Sequence, residues 1–313
     1  MPTSAFTIPT VDISSYLHNP DSPAAQEIVS QIRHACRNSG FFQIVGHGIP
    51  RALQESVLAS ARIFFSLPFD EKVRLKAAVG RGYEIIGGQT LQPGTKPDMK
   101  EGFFVGPETQ DTDPPYKDFR HPNRWPPESV LSPNKFKLPI LQYRARLCSL
   151  ALIVMHILAD GLPDGNRNIF EDFCKDPLAV IRLLHYPPQP NLDDKDQLGA
   201  GAHTDFGAIT LLLQDEKGGL QVQNQESGDW IDVSPNPDAY VVNVGDMLEM
   251  WTKSEYKSNV HRVINTSGAH RYSVPFFFDG NLDYVLSPLD GSSDKGITVE
   301  EFMNQRYQRT YAK

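Results

Sequence analysis

The chain of 313 residues divides by the spacing of its apolar positions. Through AAQEIVSQIRHACRNSG (24–40), Ile28, Ile32 and Ala35 with Cys36 recur at helical period, and Gly40 follows as a residue suited to the turn beyond a helix end. FFQIVGHGIP (41–50) predicts a strand stopped by Gly-His-Gly and Pro50, and a second helix is predicted from about Ala52 to Phe65. In LPFDEKVRLK (67–76), Asp70 is the expected N-cap, with acids in the first turn. From 78 to 133 the periodicity weakens, Gly and Pro are frequent, and KEGFFVG (100–106) is the strand-like piece. So long an irregular stretch in a compact chain is expected to act as a lid or pocket wall. A long helix is predicted over 134–160, and His156 within it reads as a core histidine.

After Pro177 the period changes from helical to alternating. LAVIRLLHYP, AITLLLQD, GLQVQN, DWIDVSP, AYVVNVGDMLEMWT, HRVIN and RYSVPFFFDG are β-type runs separated by turn residues. Seven or more short strands at such intervals predict an all-β sandwich or barrel. The last segment, TVEEFMNQRYQRTYA, opens with Thr298 and Glu301 at capping-box spacing and predicts a helix. No internal repeat or low-complexity tail is visible. The expected organisation is one catalytic domain, mainly β with a helical N-terminal half: a helical and lid region over 1–177, a β core over 178–290 and a C-terminal helix over 291–313.

Composition narrows the class. The formal net charge is −8 with no basic run, which argues against a nucleic-acid-binding face. Cys36, Cys148 and Cys174 are odd in number and far apart, which argues against a disulfide framework and fits a reducing compartment. The N-terminus lacks the basic start and apolar core of a secretory signal, and the apolar run LCSLALIVMHILA (147–159) is short for a membrane span. A cytoplasmic protein acting on a small molecule, without a membrane or nucleic-acid partner, is expected; its oligomeric state is open.

The candidate chemistry begins at GAHTDFGAITLLLQD (201–215). Successive strand side chains alternate between faces, so His203 and Asp205 would share one if the strand has begun by there, either as ligands to one metal or equally as a hydrogen-bonded surface pair. His261 opens the strand-like HRVIN, and a strand starting there can face the start of an earlier one. Two imidazoles and a carboxylate would leave adjacent positions open on an octahedral metal, the set expected for non-haem Fe(II) that binds both a substrate and O₂. Ten residues after His261, Arg271 and Ser273 share a strand face in RYS, and a guanidinium with a hydroxyl among apolar walls suits a carboxylate. An internal pair of Arg271 with Asp246 or Asp279 is the structural alternative.

HTD (203–205), HRV (261–263) and RYS (271–273), together with IPTVDIS (8–14), SGFFQIVGHGIP (39–50), FFSLPFDEKVRL (64–75), RLLHYPPQP (182–190) and VVNVGDMLEMWT (241–252), resemble the Fe(II)/2-oxoglutarate-dependent dioxygenases of the isopenicillin N synthase-like superfamily. RLLHYP and HTDFGAITLLLQD are most similar to fungal members such as thymine 7-hydroxylase. The resemblance implies a distorted double-stranded β-helix, or jelly roll, buttressed by helices. It implies that His203, Asp205 and His261 bind iron, and that Arg271 and Ser273, with Tyr186, bind 2-oxoglutarate. Leu184 stands where many plant members carry an Asn. The implied cofactors are Fe(II), 2-oxoglutarate as co-substrate and O₂, with ascorbate as a stimulant.

The implied reaction couples decarboxylation of 2-oxoglutarate, to succinate and CO₂, with oxidation of a small organic molecule. C–H hydroxylation is the leading form, desaturation and ring formation being variants, and specialised-metabolite biosynthesis is the expected setting. Substrate contacts are expected from Phe277 and Asp279, which continue the parity of Arg271, from Arg182 and Phe206, and from Tyr83 and Phe103 in the irregular stretch, where Arg81 and Phe104 also lie. Arg182 has a structural ion pair as its alternative. The rival reading is an isopenicillin N synthase-like oxidase using Fe(II) and O₂ without 2-oxoglutarate. A silent binding module and a zinc hydrolase are more distant alternatives; the latter lacks an HExxH-type base.

Overall fold

The computed structural model describes residues 6–76, 80–109, 116, 118–163, 165–191, 193–289 and 296–311. In chain order the N-terminal half contains β1 (Thr10–Asp12), α1 (Ser14–His18), α2 (Pro23–Asn38), β2 (Phe41–Val45), α3 (Arg51–Phe65), α4 (Phe69–Val73), β3 (Gly82–Glu84), β4 (Glu101–Val105) and α5 (Lys137–Asp160). There follow β5 (Leu178–Tyr186), β6 (Ala200–His203), β7 (Ile209–Gln214), β8 (Leu220–Gln223), β9 (Trp230–Asp232), β10 (Tyr240–Val244), α6 (Asp246–Trp251), β11 (His261–Val263) and β12 (Arg271–Gly280). A short pair, β13 (Val285–Leu286) and β14 (Ile297–Thr298), leads into α7 (Val299–Tyr311).

Two sheets form the core. The larger has the order β1-β2-β10-β7-β12-β5-β4-β3 and the smaller β6-β11-β8-β9. One apolar cluster joins their inner faces: Leu184, Tyr186 and Val241 from the larger meet Ala200, Leu220, Val222 and Val263 from the smaller. The outer face of the larger sheet packs on helices through Ile181, Leu183, Leu211, Val242 and Phe276, against Ile32, Val57, Phe64, Leu150 and Val154. Strand β5 is therefore buried at all nine positions. A strand covered on both sides reads as a continuous apolar run rather than an alternating one, as LAVIRLL does. This is the helix-buttressed jelly roll, with one refinement: the first half supplies four of the eight strands of the large sheet. Its KEGFFVG segment becomes β4, pairing with β5 in the register Gly102↔Leu184 and Phe104↔Arg182.

Local signals explain several boundaries. Ser22 caps α2, its Oγ accepting from Ala25 N at 3.2 Å, and Pro23 follows at the first helical position. Gly40 adopts φ +70° at the entry to β2, where a Cβ would overlap the Lys257 carbonyl. At α7 both arms of the capping box form: Glu301 N donates to Thr298 Oγ1 at 3.1 Å and Thr298 N to Glu301 Oε2 at 3.0 Å. Two expectations need correcting. Asp70 lies inside the first turn of α4 and Pro68 holds the cap position, because the fixed ring torsion of proline already starts the turn. His156 is half-buried rather than in the core. Helix α5, at 24 residues, is long and apolar enough to cross a membrane by composition alone, but here Ile140, Tyr143, Leu147, Leu150 and Val154 bury a face in the core.

Candidate active site

Strands β6 and β11 pair antiparallel with His261 directly opposite His203, which puts two imidazoles distant in sequence side by side, ring centroids 4.3 Å apart. Asp205 follows just beyond β6. Its Oδ1 lies 3.9 Å from His203 Nε2 and 3.8 Å from His261 Nε2, and the three ligand atoms fall within 4.8 Å of one another. Among the described residues no other group of His, Cys, Asp or Glu is so arranged.

Hydrogen bonds aim each donor atom. His203 Nδ1 faces the Gly201 carbonyl at 2.7 Å and His261 Nδ1 the Asn259 carbonyl at 3.2 Å. Each carbonyl needs a proton on Nδ1, which leaves the lone pair on Nε2, toward the shared centre. Asp205 Oδ2 accepts from Thr210 Oγ1 at 2.6 Å and Asn243 Nδ2 at 2.8 Å. Those donors are cross-strand partners, Asn243↔Thr210 in β10 and β7. They fix one carboxylate oxygen and leave the other for a metal. Burial, reinforced by the nearby His261, pushes His203 well below the usual histidine range. Burial alone would raise Asp205, but His261 and His203 with the two hydrogen bonds outweigh it and hold the carboxyl below its usual range. An ionised carboxylate and a neutral imidazole are the forms that ligate metals.

Behind this trio the two sheets enclose a cavity of about 70 Å³, lined by Leu184, Tyr186, Leu220, His261, Arg271 and Ser273 among others. Arg271 is 1% exposed. Its Nε donates to the Gly218 carbonyl at 2.5 Å and its Nη2 to Gln214 Oε1 at 3.1 Å, while its plane lies over the Tyr186 ring at 4.7 Å. Nη1 is buried and has no hydrogen-bond partner among the described residues. The internal Arg–Asp pair is not formed: Asp246 is taken by Arg306 at 3.1 Å and Thr204 at 3.0 Å, and among the described residues no carboxylate lies within salt-bridge range of Arg271. A buried guanidinium with an idle donor is strongly unfavourable unless an anion fills the cavity, so the residues present fit a carboxylate co-substrate.

In front of the trio lies a second cavity of about 90 Å³, which brings together Arg182, Phe206, Phe277 and Asp279 with Arg81 and Phe104. Burial, with the charge of Asp205, pushes Asp279 up to about 7. Arg182 is ion-paired with Glu84 and lies over Phe104 at 4.6 Å, so its structural alternative is also realised. Tyr83 and Phe103 are not brought to either cavity. Strand parity turns them to the opposite face of the sheet, where Tyr83 donates to Glu101 at 2.5 Å and Phe103 packs on Phe64 at 4.5 Å. Glu101 also takes Lys72 at 2.7 Å and His185 at 2.7 Å, which ties α4, β3, β4 and β5 behind the site. Sequence reasoning missed Thr210, Asn243 and Gln214. The available signal was a polar residue at a core position of an apolar strand, as in VVNVG.

Two imidazoles on paired strands, with a carboxylate just beyond the first strand, leave part of an octahedral sphere to small molecules, which is the ligand set of mononuclear non-haem iron oxygenases. Comparison with known proteins gives the family. Residues 8–128 match the model of the non-haem dioxygenase in morphine synthesis N-terminal region, and residues 177–280 that of the 2OG-Fe(II) oxygenase superfamily. The chain is 48% identical to the 2-oxoglutarate-dependent dioxygenase citB of Monascus ruber over 319 residues, covering 98% of this chain and 97% of that protein. It is 41% identical to clavatol oxidase claD of Penicillium crustosum over 330 residues, covering 98% of each. The crystal structure of Neurospora crassa T7H in complex with alpha-KG superposes with a TM-score of 0.84 at 29% identity, covering 99% of this chain and 98% of that one. The chain belongs to the 2OG-Fe(II) oxygenase superfamily and is a 2-oxoglutarate-dependent dioxygenase using Fe(II) and 2-oxoglutarate. The comparisons do not favour the oxidase that dispenses with 2-oxoglutarate.

Proposed function

We propose that His203, Asp205 and His261 hold Fe(II), that Arg271 and Ser273, with Tyr186 beneath the guanidinium, hold the distal carboxylate of 2-oxoglutarate, and that a small organic substrate in the front cavity undergoes C–H hydroxylation. The observation carrying this reading is the idle Arg271 Nη1 at the back of the cavity that opens onto the three ligand atoms. Bound iron would supply the activation of O₂, with 2-oxoglutarate giving succinate and CO₂. The chain itself orients and shields. Arg271 and Ser273 set the far end of the co-substrate, so its reacting end is presented in one orientation. Thr210 and Asn243 keep Asp205 pointed inward. Phe104, Phe206 and Phe277 offer an apolar wall that excludes water from the oxidised C–H bond, and Arg182 and Asp279 are the polar groups that select and orient the substrate. A single cytoplasmic catalytic domain is part of this reading, and a setting in specialised metabolism is supported by similarity to clavatol oxidase.

The test is succinate formation against a panel of small metabolites, with and without Fe(II). His203→Ala or Asp205→Ala is expected to abolish it, while Arg271→Ala raises the 2-oxoglutarate concentration needed. Unchanged turnover in either metal-site variant would overturn the reading.

A further inference from the structure

Besides Arg271, and Arg182 which is ion-paired with Glu84, the rear cavity is lined by a third buried cation. Lys100 immediately precedes β4 and is 4% exposed. Glu101 pairs with His185 and points to the helix side, so Lys100, one residue earlier, points to the other face, with Leu184, Tyr186 and Arg271. It lines the same cavity as His203, His261, Arg271 and Ser273. Its ammonium is paired with Asp98, which is 0% exposed. That carboxylate is shared: Asp98 Oδ1 also accepts from Gly201 N at 3.0 Å, and the Gly201 carbonyl is the group facing His203 Nδ1. Lys100 is thereby fastened to the strand carrying the first imidazole, and its charge is felt by His203. An ammonium has three donors, and among the described residues Asp98 is the one hydrogen-bond partner Lys100 has. Burial, with Arg182 nearby, pushes Lys100 down to about 8, showing how poorly the pocket wall solvates the charge. The apolar part of the wall, Leu91, Leu184 and Ala200, offers the remaining donors no acceptor, which leaves them for a ligand in the cavity.

We propose that Lys100 binds the metal-proximal carboxylate of 2-oxoglutarate, so that the diacid is held by a cation at each end, Lys100 beside His203 and Arg271 at the back. This rests on the assignment of the iron and 2-oxoglutarate sites above and extends it to a residue outside them. Of the three cations lining the cavity Arg182 is taken by Glu84, so each carboxylate of the diacid would meet one of the other two. It also gives Asp98 a role as the positioning residue that keeps the ammonium at the His203 side.

The test is equilibrium binding by calorimetry to the Mn(II)-loaded protein, comparing 2-oxoglutarate with 2-oxopentanoate, which keeps the oxo-acid end and lacks the far carboxylate. Lys100→Met is expected to weaken both ligands by a similar factor, about ten- to a hundredfold for loss of a charged hydrogen bond. Arg271→Met is expected to weaken 2-oxoglutarate alone, and Lys100→Arg to recover much of the affinity. Because Lys100→Met leaves Asp98 buried and unpaired, the double variant Lys100→Met/Asp98→Asn is measured beside it; it removes both charges and keeps an acceptor for Gly201 N. Far-UV circular dichroism and Mn(II) affinity report that fold and metal site persist. Wild-type affinity for 2-oxoglutarate in a folded, Mn(II)-binding double variant would overturn the proposal, as would a loss confined to 2-oxoglutarate with 2-oxopentanoate unaffected. If the wild-type protein itself shows no metal-dependent binding of 2-oxoglutarate, the underlying site assignment fails, a result distinct from either of these.

Discussion

At the scale of single residues the site depends on which atom of each side chain is left over. Asp205 has one oxygen committed to Thr210 and Asn243, and each imidazole has Nδ1 committed to a carbonyl. What remains are three lone pairs converging on one point. Partners that orient metal ligands commonly account for 10- to 100-fold in affinity. Thr210→Val and Asn243→Ala are each expected to weaken Fe(II) or Mn(II) binding by roughly that factor, with the fold retained, as a metal titration would show. Affinity unchanged in both would mean that the coordinating oxygen is oriented by something else. These residues escaped the sequence reading for a physical reason. In VVNVG and AITLLL the polar side chain sits in a strand that reads apolar throughout, and only its cross-strand partner shows what it bonds.

At the scale of elements, the turn between β7 and β8 and the cap of α7 serve the two cavities. Gly218 and Gly219 both have positive φ, +71° and +91°, and the Gly218 carbonyl receives Arg271 Nε. A Cβ on Gly219 would overlap the Ile264 backbone carbonyl, which cannot move without disturbing β11. Gly219→Ala is therefore expected to destabilise the protein by about 2 kcal/mol. It should also raise the Kd for 2-oxoglutarate, by denaturant titration and calorimetry respectively. Helix α7 brings Met303 and Tyr307 to the front cavity, and its Arg306 reaches Asp246 at the start of α6. Thr298→Ala removes one arm of the capping box, worth about 1 kcal/mol of helix stability. Hydrogen exchange in α7 should rise, and the KM for the organic substrate should rise more than that for 2-oxoglutarate. The cap was legible from Thr298 and Glu301 alone because its partners are three residues apart. The facing of the irregular stretch was not legible: Phe103 and Phe104 are adjacent and equally apolar, and pairing with β5 sends Phe104 to the cavity and Phe103 to the helices.

For the molecule as a whole, the proposed active site is the filling between two sheets. The rear cavity holds a buried guanidinium with an idle donor and a trio of ligand atoms with no covalent tie between them. A ligand that binds only the folded chain stabilises it by mass action, about 2.7 kcal/mol at a hundredfold excess over Kd. Stripping metal with a chelator is therefore expected to lower the Tm by several degrees, and adding Mn(II) with 2-oxoglutarate to restore it. Asp205→Ala should show neither response. A chelator-insensitive Tm in the wild-type protein would mean that the trio does not bind metal appreciably.

The amino-acid order by itself determined the element types, the position of the helices before the β-rich half, and the identity of the trio and the Arg-Ser pair. These follow from local period and from spacing: RYS places two groups on one face of β12, while HTD keeps Asp205 beside His203 although β6 ends at His203. The tertiary structure alone decided which oxygen of Asp205 is available, that Arg271 has no carboxylate partner among the described residues, that β4 joins the large sheet beside β5, and that Lys100 enters the same cavity. Each is a contact between segments far apart in the chain: Asp205 with Asn243 across 38 residues, and Lys100 on the wall beside Arg271. Alternation along a strand says that two residues share a face. Sheet order and register decide what that face meets, and those are set by the packing of both cores together.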